Sequence, residues 1–124
     1  MNSLQALQAF WSSFGLKAYD ENTVPDDAMT LNGGKYLTYS ASTGYFDALV
    51  TLSASLWYKS TSWAEISQKA AEIGEAIGYG GRLIPFDGGH IWIQRGTPFS
   101  QRMSDEDDTI RRIYINLSSE FLTT

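Results

Sequence analysis

An α+β domain with a mostly antiparallel sheet is the fold class this sequence predicts, and three patterns predict it. Val50, Leu52, Ala54, Leu56 and Tyr58 alternate with their neighbours along the chain, as a strand with one buried face requires. Trp63, Ile66, Ala70, Ile73 and Ile77 then recur at steps of three and four, the apolar stripe of an amphipathic helix. Beyond that helix the period returns to two, first in a hairpin and last over Ile113, Ile115, Leu117, Ser119 and Phe121. The order is helix, strand, strand, helix, strand, strand, strand: a single domain over residues 1–124 with about five strands and two helices.

The first helix carries Leu4, Leu7, Phe10, Trp11 and Phe14 on one face, with Ser3 placed to cap it and Gly15 to end it. That face packs on the sheet or, in part, on a neighbouring subunit. Asp20 to Lys35 has no hydrophobic period, contains Pro25 and Gly33-Gly34, and holds four acids, so it reads as a long loop. Tyr36 to Ser42 reads as a strand, Gly44 as its turn, and Leu49 to Tyr58 as the long strand that follows. Ser62 and Glu65 stand as a capping box before the second helix, and Gly78 stands at its end. The hairpin turn falls on Asp87-Gly88, because that loop sets Pro85 opposite His90 at a non-hydrogen-bonded pair, where a missing N–H costs nothing. Ile84 and Phe86 then share a face with Ile91 and Ile93. Gly96 to Asp108 reads as a second long loop. Both loops are expected to be the most mobile parts of a free subunit and to order on assembly.

Composition narrows the function. Hydrophobic residues make up 43% and charged residues 19%, so the chain can fill a core and disorder is not expected. A net charge of −5, with the nine basic residues scattered, argues against tight nucleic-acid binding, which draws most of its affinity from phosphate contacts. There is no cysteine, hence no disulfide and no thiolate metal site. The N-terminus lacks a basic region ahead of its apolar residues, so no signal peptide is expected, and no apolar run approaches the ~20 residues of a bilayer span. A soluble protein folded in the cytoplasm is the expectation.

No constellation of catalytic residues emerges. His90 is the single histidine and cannot build a zinc site without partners. Asp105-Glu106-Asp107-Asp108 has charge enough for calcium but lacks the alternating ligands and central glycine of a calcium loop, so it reads as a solvated acidic loop. Gly78, Gly80 and Gly81 follow a helix rather than open one, which gives the helix dipole the wrong sign for phosphate. No enzyme, cofactor or metal role is expected. Aromatics, at 14%, are the unusual class. Trp57 and Trp92 fall on the polar phases of their strands. Either a second apolar layer such as the first helix covers them, or they belong to a subunit interface, where Trp, Met and Arg are enriched. Phe99, Arg102 and Met103, in the second loop, have that same composition.

The chain resembles the tail terminator (tail-completion) proteins of long-tailed bacteriophages. The likeness lies in the first helix, Ala18-Tyr19-Asp20 leading to Val24-Pro25, Tyr36-Leu37-Thr38-Tyr39, Leu56-Trp57-Tyr58 with the helix from Ser62 to Gly78, and the strand from Arg112 to Phe121. It spans about residues 4 to 121; Asn32-Gly33-Gly34 stands where the family often has a short Pro-aromatic run. The resemblance implies a structural virion protein: a homo-oligomeric ring of six copies at the tail end of the virion, assembled in the host cytoplasm. Such a ring stops tube growth and joins the tail tube to the head–tail connector. It implies no catalysis. Trp57, Trp92, Phe99, Arg102 and Met103 would then serve subunit or partner contacts. Asp105, Glu106, Asp107 and Asp108 would face a lumen through which DNA passes without sticking. The other readings are a different phage connector or minor virion protein, or a small-ligand module or enzyme.

Overall fold

The computed structural model describes residues 1–40 and 49–123. The elements are α1 (Ser3–Ser12), β1 (Ala18–Asp20), α2 (Ala28–Leu31), β2 (Lys35–Tyr39), β3 (Leu49–Lys59), α3 (Ala64–Ile77), β4 (Arg82–Phe86), β5 (Gly89–Met103) and β6 (Ile110–Thr123). They build one six-stranded sheet in the order β1-β2-β3-β6-β5-β4, antiparallel throughout except for the β1–β2 pair. The α+β class therefore holds, and the strand and helix counts rise from five and two to six and three among the described residues.

The alternating patterns do what they promised. Leu52, Ala54, Leu56 and Tyr58 on β3 lie buried with Ile113, Ile115, Leu117 and Phe121 on β6, and with Ile91 and Ile93 on β5. Two long helices cover this face. Ile66, Ala70, Ile73 and Ile77 hold α3 against β3, β5 and β6. The first helix reaches both β1 and β4, the two edge strands, so it bridges a curled sheet from edge to edge. Trp11 is 1% exposed and stacks on Tyr39, and the Tyr39 hydroxyl donates to the side-chain carbonyl of Gln8. The Gln8 amide in turn donates to the Ala18 carbonyl at 3.0 Å. Lys69 of α3 donates to the Phe14 carbonyl at 2.9 Å, which ties the end of the α1 segment to the second long helix. At the other end, the Met1 ammonium lies 2.7 Å from Asp87 in the hairpin turn.

The hairpin has the expected register: Phe86 faces Gly89, Pro85 faces His90 and Ile84 faces Ile91, leaving Asp87-Gly88 as the loop. Gly88 has a φ of +93°, which a side chain would disfavour. β2 pairs with β3 from Lys35 opposite Tyr58 to Tyr39 opposite Ala54; Ser42, the expected end of that strand, and the expected turn at Gly44 lie outside the described residues.

Other local readings are corrected. Asp20 to Lys35 is not all loop: Ala18–Asp20 pairs in parallel with Leu37–Tyr39, and α2 buries Ala28. Nor is Gly96 to Asp108: β5 continues to Met103, with a register shift between Arg95 and Ser100 where the Thr97–Pro98 peptide is cis. A bulge adds residues to one strand and breaks its alternation, so the sequence pattern there looks aperiodic. Asn2, not Ser3, caps α1, forming a capping box with Gln5. Trp63 occupies the cap position of α3, and the Ser62 hydroxyl accepts from the Ala64 amide at 3.1 Å without the reciprocal Glu65 bond. Leu4, assigned to the buried stripe, is 46% exposed, and Ala6 takes its place.

Gly89 shows how closely β5 and β6 approach, since a Cβ there would lie 2.0 Å from the Leu122 carbonyl oxygen. Backbone must move to admit it. Gly89→Ala is expected to cost about 1–3 kcal/mol, the range of overpacking changes, in urea denaturation. Gly80→Ala, whose Cβ meets nothing within 4 Å, should stay within about 0.5 kcal/mol of the parent.

Candidate assembly surface

Both long helices lie on one face; the opposite face carries its own side chains, with Glu21 and Val24 of the β1–α2 segment beside Trp57 at its border. Its central feature is a row that crosses four strands: Tyr19 on β1, Tyr36 on β2, Trp57 on β3 and Arg112 on β6. Tyr36 and Trp57 are register partners, as are Trp57 and Arg112. The Tyr19 and Tyr36 rings meet edge to face at 6.0 Å; those of Tyr36 and Trp57 stack at 6.1 Å and 10°. The Arg112 guanidinium lies 4.6 Å from the Trp57 ring centre. Two further bonds lock the row. The Trp57 indole N–H donates to Thr38 Oγ1 at 3.0 Å, and Arg112 donates through Nε and Nη2 to Ser55 Oγ, each at 3.1 Å. Each ring is thus held by its neighbour, and Trp57 is half-buried. Of the two arrangements the sequence allowed for Trp57, coverage by α1 is excluded, because α1 packs on the other face.

Met103 pairs with Arg112 and extends the row, so the structure brings Trp57 and Met103 to one surface. Trp92 lies on the same face further along, opposite Leu83 and Glu120, and its indole donates to the Gly80 carbonyl at 3.0 Å. Part of its surface is thereby used inside its own chain. Phe99 and Arg102 lie elsewhere. They are on the helix side, where Phe99 packs against the core and its ring edge sits over Gly74, leaving 3.1 Å to a hypothetical Cβ. Phe99 is therefore a strand residue docked on its own α3, not the tip of a free loop. Arg102 stacks on the Trp63 ring at 4.8 Å, with Arg111 on the same ring at 5.3 Å.

Sequence reasoning missed Tyr19, Tyr36 and Arg112, although Tyr36 and Arg112 share the polar phase that singled out Trp57. Their signal appears only once the register is known. All five arginines lie on aromatic rings, and none forms an ion pair with a described carboxylate.

Asp105, Glu106, Asp107 and Asp108 form the exposed β5–β6 connection. Among the described residues, no three His, Cys, Asp or Glu converge on a metal position. Asp107 accepts from the Thr109 hydroxyl at 2.6 Å and from its amide at 2.8 Å, bonds that favour the carboxylate and lower its pKa. His90 is half-buried beside the turn, opposite Pro85 and Leu122. Burial, with a smaller push from Glu65 and Glu72, raises the Tyr58 hydroxyl to about 12. Among the described residues, no helix is long and apolar enough to cross a membrane.

No family model matches the sequence, and no curated protein matches it. The fold is similar to that of a chain in a solved structure titled "Virion of native gene transfer agent (GTA) particle". The identity is 20% and the TM-score 0.58, over 94% of this chain and 89% of that one. At that identity the likeness is one of fold.

Two titrations test the local electrostatics. Asp107 should titrate below its ordinary 3.8 by NMR, and Thr109→Val should bring it back up. Its contribution to stability is then present above pH 3.8 and lost as pH falls through the lower folded value. Tyr58 has the opposite sign. Its raised pKa adds stability that is complete below pH 10 and lost as pH rises toward about 12, so Tyr58→Phe should flatten the alkaline arm of a stability–pH curve.

Proposed function

We propose that this chain is a structural virion protein of the tail-terminator kind: a ring subunit, six copies to the ring, that closes the tail tube and carries the head-joining surface. The observation that carries this reading is the shared fold with a chain of a gene transfer agent virion over nearly the whole length of both chains. The sequence resemblance to tail terminators points the same way. In this reading the protein works by shape and contact rather than by chemistry. A rigid sheet presents Tyr36, Trp57, Arg112 and Met103 outward, and such amphipathic and cationic groups suit an interface that must be buried and partly polar. Trp92 adds to that face, while Phe99 and Arg102 serve a second contact on the helix side. A ring subunit needs two different contact surfaces, and the two sides of the sheet supply them.

The acidic connection at Asp105–Asp108 is assigned to the lumen, where like charge lets DNA slide past. Virion neck or tail end is the corresponding location, with the tail tube and the head–tail connector as partners.

Light-scattering mass measured beside the thermal midpoint separates interface from core. Trp57→Ala should reduce the assembled mass toward 13.8 kDa, at a cost to the subunit's own stability below the 3–5 kcal/mol of a buried aromatic truncation. Phe99→Ala should lower the midpoint as well, because it also empties the contact with α3. Changing Asp105, Asp107 and Asp108 to Asn should leave the mass unchanged and strengthen DNA adherence to the assembled protein. A parent that is monomeric at every concentration would remove the ring from this reading.

A further inference from the structure

The charged residues of this chain are not spread evenly across its sheet. Between Lys17 and Lys35 there is no basic residue, and Asp20, Glu21, Asp26 and Asp27 fall in that interval. They sit at the β1 edge, where the chain passes from β1 into α2. Glu21, Asp26 and Asp27 are exposed, and none of the four forms an ion pair with a described cation. Asp20 is occupied locally, accepting from the Asn22 amide at 2.9 Å.

The opposite side of the sheet is the reverse. Pairing between β4 and β5 ends at Ile93, so the stretch of β5 from Gln94 to Met103 has no described strand on its outer side. There the surface between β5 and α3 forms a groove of about 460 Å³, lined by Ser67, Gly74, Glu75, Arg95, Gln101 and Arg102 among others. Arg95 lies 4.7 Å from the Tyr79 ring centre and Arg102 4.8 Å from that of Trp63. The Trp63 ring is packed against the core and so restricts Arg102, whereas Tyr79 is fully exposed; neither guanidinium forms an ion pair with a described carboxylate, and Glu75 is the one acid in the lining. An arginine already held in place loses less freedom when it meets a carboxylate.

We propose that this arginine groove of one copy receives the acidic β1–α2 segment of the next copy, head to tail. The two surfaces belong to opposite sides of the same sheet, so the contact is heterologous, and repetition builds a ring or a filament rather than a two-fold dimer. The proposal rests on the reading of the chain as a self-assembling subunit and names the surfaces that make the contact. Its electrostatic part predicts that association weakens as salt rises.

The test uses two charge-swapped full-length chains and one cross-link. The first chain carries Arg95→Glu and Arg102→Glu; the second carries Glu21→Arg, Asp26→Arg and Asp27→Arg. Each alone sets like charges against each other and should associate at least about tenfold more weakly than the parent. Mixed together they should recover assembly, because the acidic groove of the first accepts the basic segment of the second and the unaltered pair still fits. The parent has no cysteine, so Asp27→Cys on one chain and Ser100→Cys, in the groove lining of another, should give a disulfide-linked heterodimer on mild oxidation. Circular dichroism of each chain checks that it is folded. If the parent assembles but neither swap changes its mass and no heterodimer forms, the proposal is overturned while the ring reading stands. A parent that stays monomeric overturns both.

Discussion

The constraint on which this structure depends is that two long helices are too few to cover a six-stranded sheet. Both α1 and α3 are spent on the face bearing Leu37, Leu56, Ile93 and Ile115, where α1 spans from one edge strand to the other and α3 fills the middle. The other face then needs side chains that tolerate water on one side and one another on the rest. Tyr19, Tyr36, Trp57 and Arg112 meet that requirement by leaning together across four strands, with Thr38 and Ser55 binding the polar ends of Trp57 and Arg112. Stacked aromatics and a stacked guanidinium lose little rotamer freedom on binding, because it is already lost on folding.

The same economy appears in the arginines. Each of the five rests on an aromatic ring, while most of the acids stay solvated and unpaired among the described residues. A monomer draws little stability from this arrangement, since exposed cation–π contacts contribute about 0.5–1 kcal/mol each. Its consequence is directional. Arginines without carboxylate partners lie beside β5 and acids without cation partners lie beside β1, so the molecule has two unlike sides, the feature on which the proposed head-to-tail contact rests.

Legibility from the sequence followed the length of each element. The strands centred on Leu56, Ile91 and Ile115 and the helix from Ile66 to Ile77 are long enough for a period to show, and their buried faces were readable residue by residue. So was the hairpin register, because Pro85 excludes the competing loop. Elements of three or four residues carry no period, which is why β1 and α2 looked like loop; their evidence is pairing with Leu37–Tyr39 and burial of Ala28. The bulge between Arg95 and Ser100 hid the second half of β5 for a different reason, since it breaks the alternation that identifies a strand. Of the candidate surface, Trp57 was legible as an aromatic in a polar phase. Arg112 and Tyr36 were not, because their contacts with Trp57 come from cross-strand register, which one strand's sequence does not contain. Phe99 misled, as a bulky apolar residue in an aperiodic stretch can equally well dock on its own helix.

Electron-microscope images of the purified parent chain test the central claim most directly, that this fold is a unit of closed head-to-tail assembly. The account predicts annular particles of uniform diameter with an open centre and six-fold symmetry. Fields of single subunits of 13.8 kDa, or two-fold dimers with no open centre, would contradict it.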